Sequence, residues 1–286
     1  MGYAIGHSQI ITQHREKPVS MDAASIKIAA EALDSAERTR TQIGLISVAN
    51  PAVTMEDAYA IQAQWMEQKR VAGRAVIGWK IGLTSKAMQA ALNISTPDSG
   101  VLLDDMRFSD GAEIPPDRFI QPRIEAEIAF VMKDSLQGPG ITLFDVLKAT
   151  DYITPALEIL DTRILRKDPE TGQARNVYDT VADNAANAGI VTGGRPMRPD
   201  DADMRWLGAI VSRNASIEET GLGAAVLNHP ANGIAWLANR LGEYGNRIDA
   251  GQVVLSGSFI RPIETRHGDT IYADYGTMGS VSCYFA

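Results

Sequence analysis

The run Pro122-Arg123-Ile124-Glu125-Ala126-Glu127-Ile128-Ala129-Phe130-Val131 sets two glutamates two positions apart inside an apolar segment. Side chains alternate between the faces of a β-strand, so Glu125 and Glu127 share one face while Ile124, Ala126 and Ile128 share the other. Neighbouring carboxylates repel each other and need a cation, a shared proton or open water. A hard divalent ion that prefers oxygen ligands, Mg²⁺ or Mn²⁺, meets that need. A solvated strand face meets it too, and an isolated E-x-E does not separate the two readings. A third acid bears on the choice. Pro155-Ala156-Leu157-Glu158-Ile159-Leu160-Asp161 is a second apolar segment with one central glutamate. Charges are rarely buried unless paired or metal-bound. Glu125, Glu127 and Glu158 are therefore the candidate metal ligands, with other coordination positions left for water and substrate. Asp161 falls on the opposite face of a regular strand and ranks below them.

Working outward, the chain of 286 residues is long enough for a large core, as one domain or a main domain with a smaller attachment. A net charge of −8 argues against nucleic acid or an anionic membrane as partner. It leaves room for a small anionic substrate, because a metal and a few basic groups reverse the field locally. The single cysteine, Cys283, excludes an intrachain disulfide and a cysteine zinc site, and reads as a buried thiol in a final strand. No apolar run approaches the roughly 20 residues of a membrane span. Residues 1–20 are polar and aperiodic, without a signal-peptide core. They are expected to be a disordered extension, and the protein to be cytoplasmic.

Helical spacing over Met21–Thr41, and a segment capped by Thr54 that runs to Arg70, predict a small N-terminal helical subdomain over 21–73. From 74 to 286 the pattern changes. Strands are expected at Ala75–Ile81 and near 101–103, 124–132, 155–161, 188–192, 205–212, 216–220, 252–260, 270–275 and 280–285, with a hairpin turn at Asn214. Helices are expected at Ser85–Leu92, Leu143–Thr150 and Pro230–Leu241, the last with Gly242 just past its end. Many strands without regular helical alternation point to an α+β fold, a mixed β-sandwich or roll, rather than a doubly wound sheet.

Dinucleotide, P-loop, H-E-x-x-H and G-x-S-x-G patterns are absent. The four histidines are scattered, and His229 stands at a helix start, where capping is its expected role. Lys80, in Gly78-Trp79-Lys80-Ile81-Gly82-Leu83, is a lysine within an apolar strand. It reads either as a buried acid–base group or as a side chain snorkelling to the surface. Asp98, in Pro97-Asp98-Ser99-Gly100, reads as a turn residue unless it joins that lysine.

Taken together, these segments resemble the 2-keto-4-pentenoate hydratase group of the fumarylacetoacetate hydrolase superfamily. So do Ala149-Thr150-Asp151-Tyr152, Asp183-Asn184-Ala185-Ala186-Asn187, Leu227-Asn228-His229-Pro230 and Gly276-Thr277-Met278-Gly279. The resemblance covers about residues 22–286, in order. It implies a β-roll of the fumarylacetoacetase C-terminal type and a divalent metal, usually Mg²⁺, with Mn²⁺ as the alternative, on Glu125, Glu127 and Glu158. It further implies Lys80 and Asp98 as catalytic residues, a homo-oligomer, often a decamer, and hydration of a 2-oxo-alkenoate in aromatic catabolism. Trp79 departs from the residues expected there and should point away from Lys80. The expected substrate is a seven-carbon dicarboxylate, whose far carboxylate needs a basic partner. Arg163, Arg166, Lys167 and Arg175, in the insertion 163–179, are the candidates, of which Arg163 and Arg175 are chosen. Ser258 is a candidate donor to the near carboxylate, or else an ordinary strand residue. The nearest rival activity is decarboxylation of the 4-oxalocrotonate type. Acylpyruvate hydrolysis and a non-catalytic metal-binding subunit stand further off.

Overall fold

The computed structural model of the chain describes residues 20–86, 89, 90, 94 and 96–286. The expected N-terminal extension lies outside the described residues except for Ser20. The predicted helix at Ser85–Leu92 lies partly outside them, with Lys86, Gln89 and Ala90 helical.

Among the described residues three helices come first: α1 (Ala23–Thr39), α2 (Ile46–Ala49) and α3 (Met55–Val71). Asp22 caps α1 by accepting the Ser25 N–H, and Thr54 and Asp57 cap α3 reciprocally. One apolar stripe of α1, including Ala30 and Leu33, packs with Ile61 and Trp65 of α3. Val101, Leu103, Ile164 and Val181 close the same cluster, so the helices share their core with the rest of the chain.

The strands and remaining helices follow as β1 (Val76–Gly82), β2 (Asp98–Leu103), β3 (Arg107–Ser109), β4 (Ala112–Ile114), β5 (Arg123–Met132), α4 (Leu143–Ala149) and β6 (Thr150–Leu160). They continue with α5 (Val177–Ala182), β7 (Asn187–Thr192), β8 (Gly208–Arg213), β9 (Ser216–Leu222) and α6 (Pro230–Glu243). The chain closes with β10 (Val253–Leu255), β11 (Ile263–Glu264), β12 (Thr270–Asp274) and β13 (Ser280–Phe285). Among the described residues, the larger sheet has eight strands, in the order β2-β1-β10-β5-β6-β7-β3, with β11 also on β5. The second sheet has five strands, β4-β13-β12-β8-β9. Ile124, Ala126, Ile128 and Phe130 of β5 form one core with Ile271, Val281 and Cys283 of the second sheet and Ile234 and Leu237 of α6. The architecture is the expected α+β one.

Several local expectations change. The strand expected over 252–260 stops at Leu255 and resumes at Ile263, both pieces lying along the same edge of β5. Gly257, at φ 113°, turns the chain out between them. Gly242 lies inside α6 rather than past its end. A Cβ there would meet the Gly138 carbonyl oxygen at 2.6 Å, so the glycine permits close packing and is not a stop. The insertion 163–179 runs into the short helix α5, which was not expected, and β3, β4 and β11 were too short to show a period. Asn214 does make the expected turn, with Asn214 and Ala215 both left-handed between β8 and β9.

Candidate active site

Register brings the acids together. Glu125 of β5 lies directly opposite Glu158 of β6, and Glu127 lies opposite Ala156. All three carboxylates therefore project from one face, and each offers an oxygen within 4.8 Å of the others. Across the neighbouring strands Lys80 aligns with Leu255, and Leu255 with Ala129, which puts Lys80 on that same face. Gly82 aligns with Asp98. A Cβ at Gly82 would lie 2.2 Å from Asp98 Oδ1 and 2.9 Å from Lys80 Nζ, so this glycine makes room for the pair. Lys80 Nζ stands 3.6 Å from Glu158 Oε1 and 4.0 Å from Asp98 Oδ1. Trp79, one residue away, faces the other side and donates to Gln252 Oε1, as expected.

Glu127, Glu158, Lys80 and Asp98 are buried, and Glu125 is half-buried. Burial, and then the charge of Glu158, push Glu125 up to about 8. Burial, with Glu158 and Glu125 beside it, drives Glu127 well above the carboxylate range. Burial also raises Glu158 and Asp98, against the pull of Lys80. Burial favours the neutral amine of Lys80, but the charges of Glu158, Asp98, Glu125 and Glu127 outweigh it and raise its pKa. One ammonium thus faces four carboxyl groups. Glu127 Oε2 accepts the Gly257 N–H at 2.7 Å, whereas Glu127 Oε1 and both Glu158 oxygens are buried without a hydrogen-bond partner. Orphaned, crowded carboxylate oxygens in a hard-donor set fit a divalent cation.

A cavity of about 400 Å³ opens beside this group, lined by Lys80, Asp98 and Glu125 at the charged cluster and by Arg123, Arg166 and Arg175. A larger hollow of about 660 Å³ shares Arg123 and Arg166 but none of the acidic cluster. Ser258 lines the smaller cavity from a loop, not a strand, and its hydroxyl is engaged by its own turn with Ile260. The structure does not bring Arg163 to the cavity. It is 2% exposed, its Nε donates to Asp183 Oδ1 at 2.6 Å, and its guanidinium stacks 5.2 Å from the centre of the Trp65 ring. Asp161 turns to the backbone N–H groups of Ile120 and Gln121. His229 caps α6, accepting the Ala231 N–H.

Two features were missed in the sequence. Arg123 shares the odd-numbered face with Glu125 and Glu127, a signal present in the very stretch quoted first. Asn184, Ala185 and Ala186 have φ of 51°, 52° and 59°, a left-handed turn of non-glycine residues. Asn184 fixes this turn by bonding both backbone groups of Val101, and Ala185 and Ala186 become cavity wall.

No family model matches the chain. It is 58% identical over 256 residues to a 2-oxo-hept-4-ene-1,7-dioate hydratase of Escherichia coli, covering 90% of this chain and 96% of that one. A 2-hydroxyhexa-2,4-dienoate hydratase of Comamonas testosteroni is 39% identical over 266 residues, covering 92% and 98% of the two chains. Among solved structures, 4-oxalocrotonate decarboxylase from Pseudomonas putida G7, complexed with magnesium and adipate, superposes with a TM-score of 0.89 at 36% identity. That match covers 94% of this chain and all of the other. Similarity of this degree, spread over nearly the full length of each relative, means that the chain belongs to the 2-keto-4-pentenoate hydratase family.

Proposed function

We propose that the protein is a metal-dependent hydro-lyase of aromatic catabolism that adds water to 2-oxo-hept-4-ene-1,7-dioate, giving 4-hydroxy-2-oxoheptanedioate. The observation that carries this reading is the set of three carboxylates facing a buried lysine–aspartate pair beside one cavity. The 58% identity to the hydratase supports it. Glu125, Glu127 and Glu158 would hold the ion, Mg²⁺ or alternatively Mn²⁺. The ion's chemistry there is to polarise the 2-oxo group and its neighbouring carboxylate.

The protein's own groups handle protons and orientation. Lys80, kept an ammonium by the carboxylates around it, supplies the proton that C5 gains and Asp98 takes up the one that C3 loses, turning the 4-ene into a 3-ene conjugated with the ketone. Water then adds its oxygen at C4 while C3 regains a proton, so the balance is one water consumed. Asp98 holds Lys80 toward the cavity and can carry a proton itself, since burial favours its neutral form. The low-polarity sheet beneath, with Leu255, Ala129 and Ala156 on the same face, limits water to the cavity side.

A homo-oligomer is part of the proposal. Ile210, Tyr272 and Tyr284 on the second sheet are exposed and offer an apolar surface for self-association.

The testing experiment follows 2-oxo-hept-4-ene-1,7-dioate spectrophotometrically with Mg²⁺ and with chelator, and analyses the products. Mg²⁺-dependent formation of the 4-hydroxy acid without carbon dioxide is expected. Carbon dioxide release would move the protein to the decarboxylase reading, which the 0.89 TM-score to that enzyme keeps in view.

A further inference from the structure

Three guanidinium groups, Arg123, Arg166 and Arg175, line one part of the cavity, and among the described residues only Arg123 has a carboxylate at ion-pair distance. Arg166 Nε donates to the neutral Gln121 Oε1 at 3.2 Å, and Arg175 Nη1 to the neutral Thr162 hydroxyl. Arg123 Nη2 reaches Glu264 Oε1 at 2.5 Å, but Arg123 Nε is buried with no hydrogen-bond partner. Glu264 itself is 61% exposed in its side chain. The other acids around this corner are engaged elsewhere: Asp161 by backbone N–H groups, Asp183 by Arg163, Asp179 by Ser47 and Glu219 by Arg261. Burial, together with the positive charges of Arg123 and Arg175, pushes Arg166 down to about 10. This corner is therefore short of negative charge, and one of its donors is orphaned. A second carboxylate supplies both the charge and the acceptor.

Position selects the ligand class. Arg123 lies one side-chain period from Glu125 along the same face of β5, about 7 Å between Cα atoms. The acidic cluster and these arginines line the same cavity, so a short dicarboxylate with one end at the cluster can turn its other end to them.

We propose that Arg123, with Arg166 and Arg175 beside it, forms the subsite for the second carboxylate of a dicarboxylate substrate, and that Arg123 is the specificity-determining residue. The proposal rests on the hydratase reading only in taking the first carboxylate to lie at the acidic cluster. When the ligand enters, Arg123 exchanges part of its pairing with Glu264 for the ligand carboxylate.

The test is calorimetric binding of two saturated, unreactive ligands, 2-oxoheptanedioate and 2-oxoheptanoate, to the Mg²⁺-supplemented protein. Wild type should prefer the diacid by about tenfold or more, the scale of a buried charge-assisted contact. Arg123→Gln and Arg166→Gln should each erase most of that preference and keep affinity for the monoacid within about twofold, which also shows that the variants fold. Arg123→Lys, which keeps charge but loses the fork, should fall between. Equal affinity of wild type for both ligands, retention of the preference in Arg123→Gln, or equal loss for both ligands would overturn the proposal. Turnover of 2-oxo-hept-4-ene-1,7-dioate is measured alongside. A diacid preference without turnover sinks the hydratase reading and leaves the subsite standing.

Discussion

Lys80 is the residue on which most of the charge balance turns. It is the one cation within 4 Å of Glu158 and Asp98 among the described residues, and it is 3% exposed. Lys80→Ala should lower turnover by about 100-fold or more while Mg²⁺ still binds. Removing the ammonium also leaves buried carboxylates uncompensated, so the metal-free variant should melt lower than metal-free wild type and gain more on adding Mg²⁺. Unchanged turnover would remove Lys80 from the chemistry. Asp57 makes a different kind of prediction. Burial alone would raise its pKa, but hydrogen bonds from Met21, Ser20 and Thr54 prevail and hold it well below the usual range. A depressed carboxylate stabilises the fold above its unfolded pKa, about 3.9, and loses that contribution as pH falls through its folded value. Asp57→Asn should therefore cost about 1–2 kcal/mol at pH 7 in urea titration, with the gap to wild type narrowing below about pH 4. A gap that stays constant with pH would mean that the carboxylate charge is not the source.

At the level of elements, the site depends on where strands stop and where glycines fall. The two halves of one broken strand, β10 and β11, leave an opening beside Glu125 and Glu127, and Gly257 in the gap donates to Glu127. Gly82→Ala would force its Cβ into the Lys80–Asp98 pair. We expect turnover to drop at least tenfold with a stability loss of about 1–3 kcal/mol, whereas overpacking at a site without chemistry would show only the stability loss. Unaltered kcat would show that the pair tolerates displacement. The alternation of Ile124 to Val131, and of the segment around Glu158, was enough to read the central strands and the acidic triad. The break at Gly257 was missed although Ser256-Gly257-Ser258 interrupts the run with a turn signal, because the apolar residues on either side read as one strand; the close approach of Thr84 leaves room only for glycine there. Arg163 was misplaced for a similar reason. A basic residue in a polar insertion looks solvated, and its partner Asp183 lies twenty positions away across α5. β3, β4 and β11 have too few residues for a period, so they became visible only through their pairing.

For the whole molecule, the two sheets and the N-terminal helices enclose a charged cluster that is over-supplied with carboxyl groups. Folding without a cation leaves that excess inside. A ligand that binds the folded state alone stabilises it by RT ln(1 + [L]/Kd), about 2.7 kcal/mol at a hundredfold excess over Kd. Mg²⁺ should accordingly raise the melting temperature by several degrees, reversibly with chelator, and Glu127→Gln should lose most of that rise. A melting temperature indifferent to divalent ions would argue against the triad as a metal site. Cys283 adds a practical consequence of the packing. It is the only thiol of the chain, lies 1% exposed on β13, and burial pushes its pKa up to about 12. Maleimides and similar reagents should pass it by in the native protein. A cysteine introduced at the Asn214–Ala215 turn would then be the one labelling point on the chain, so a fluorophore can be attached there without first rebuilding the native sequence.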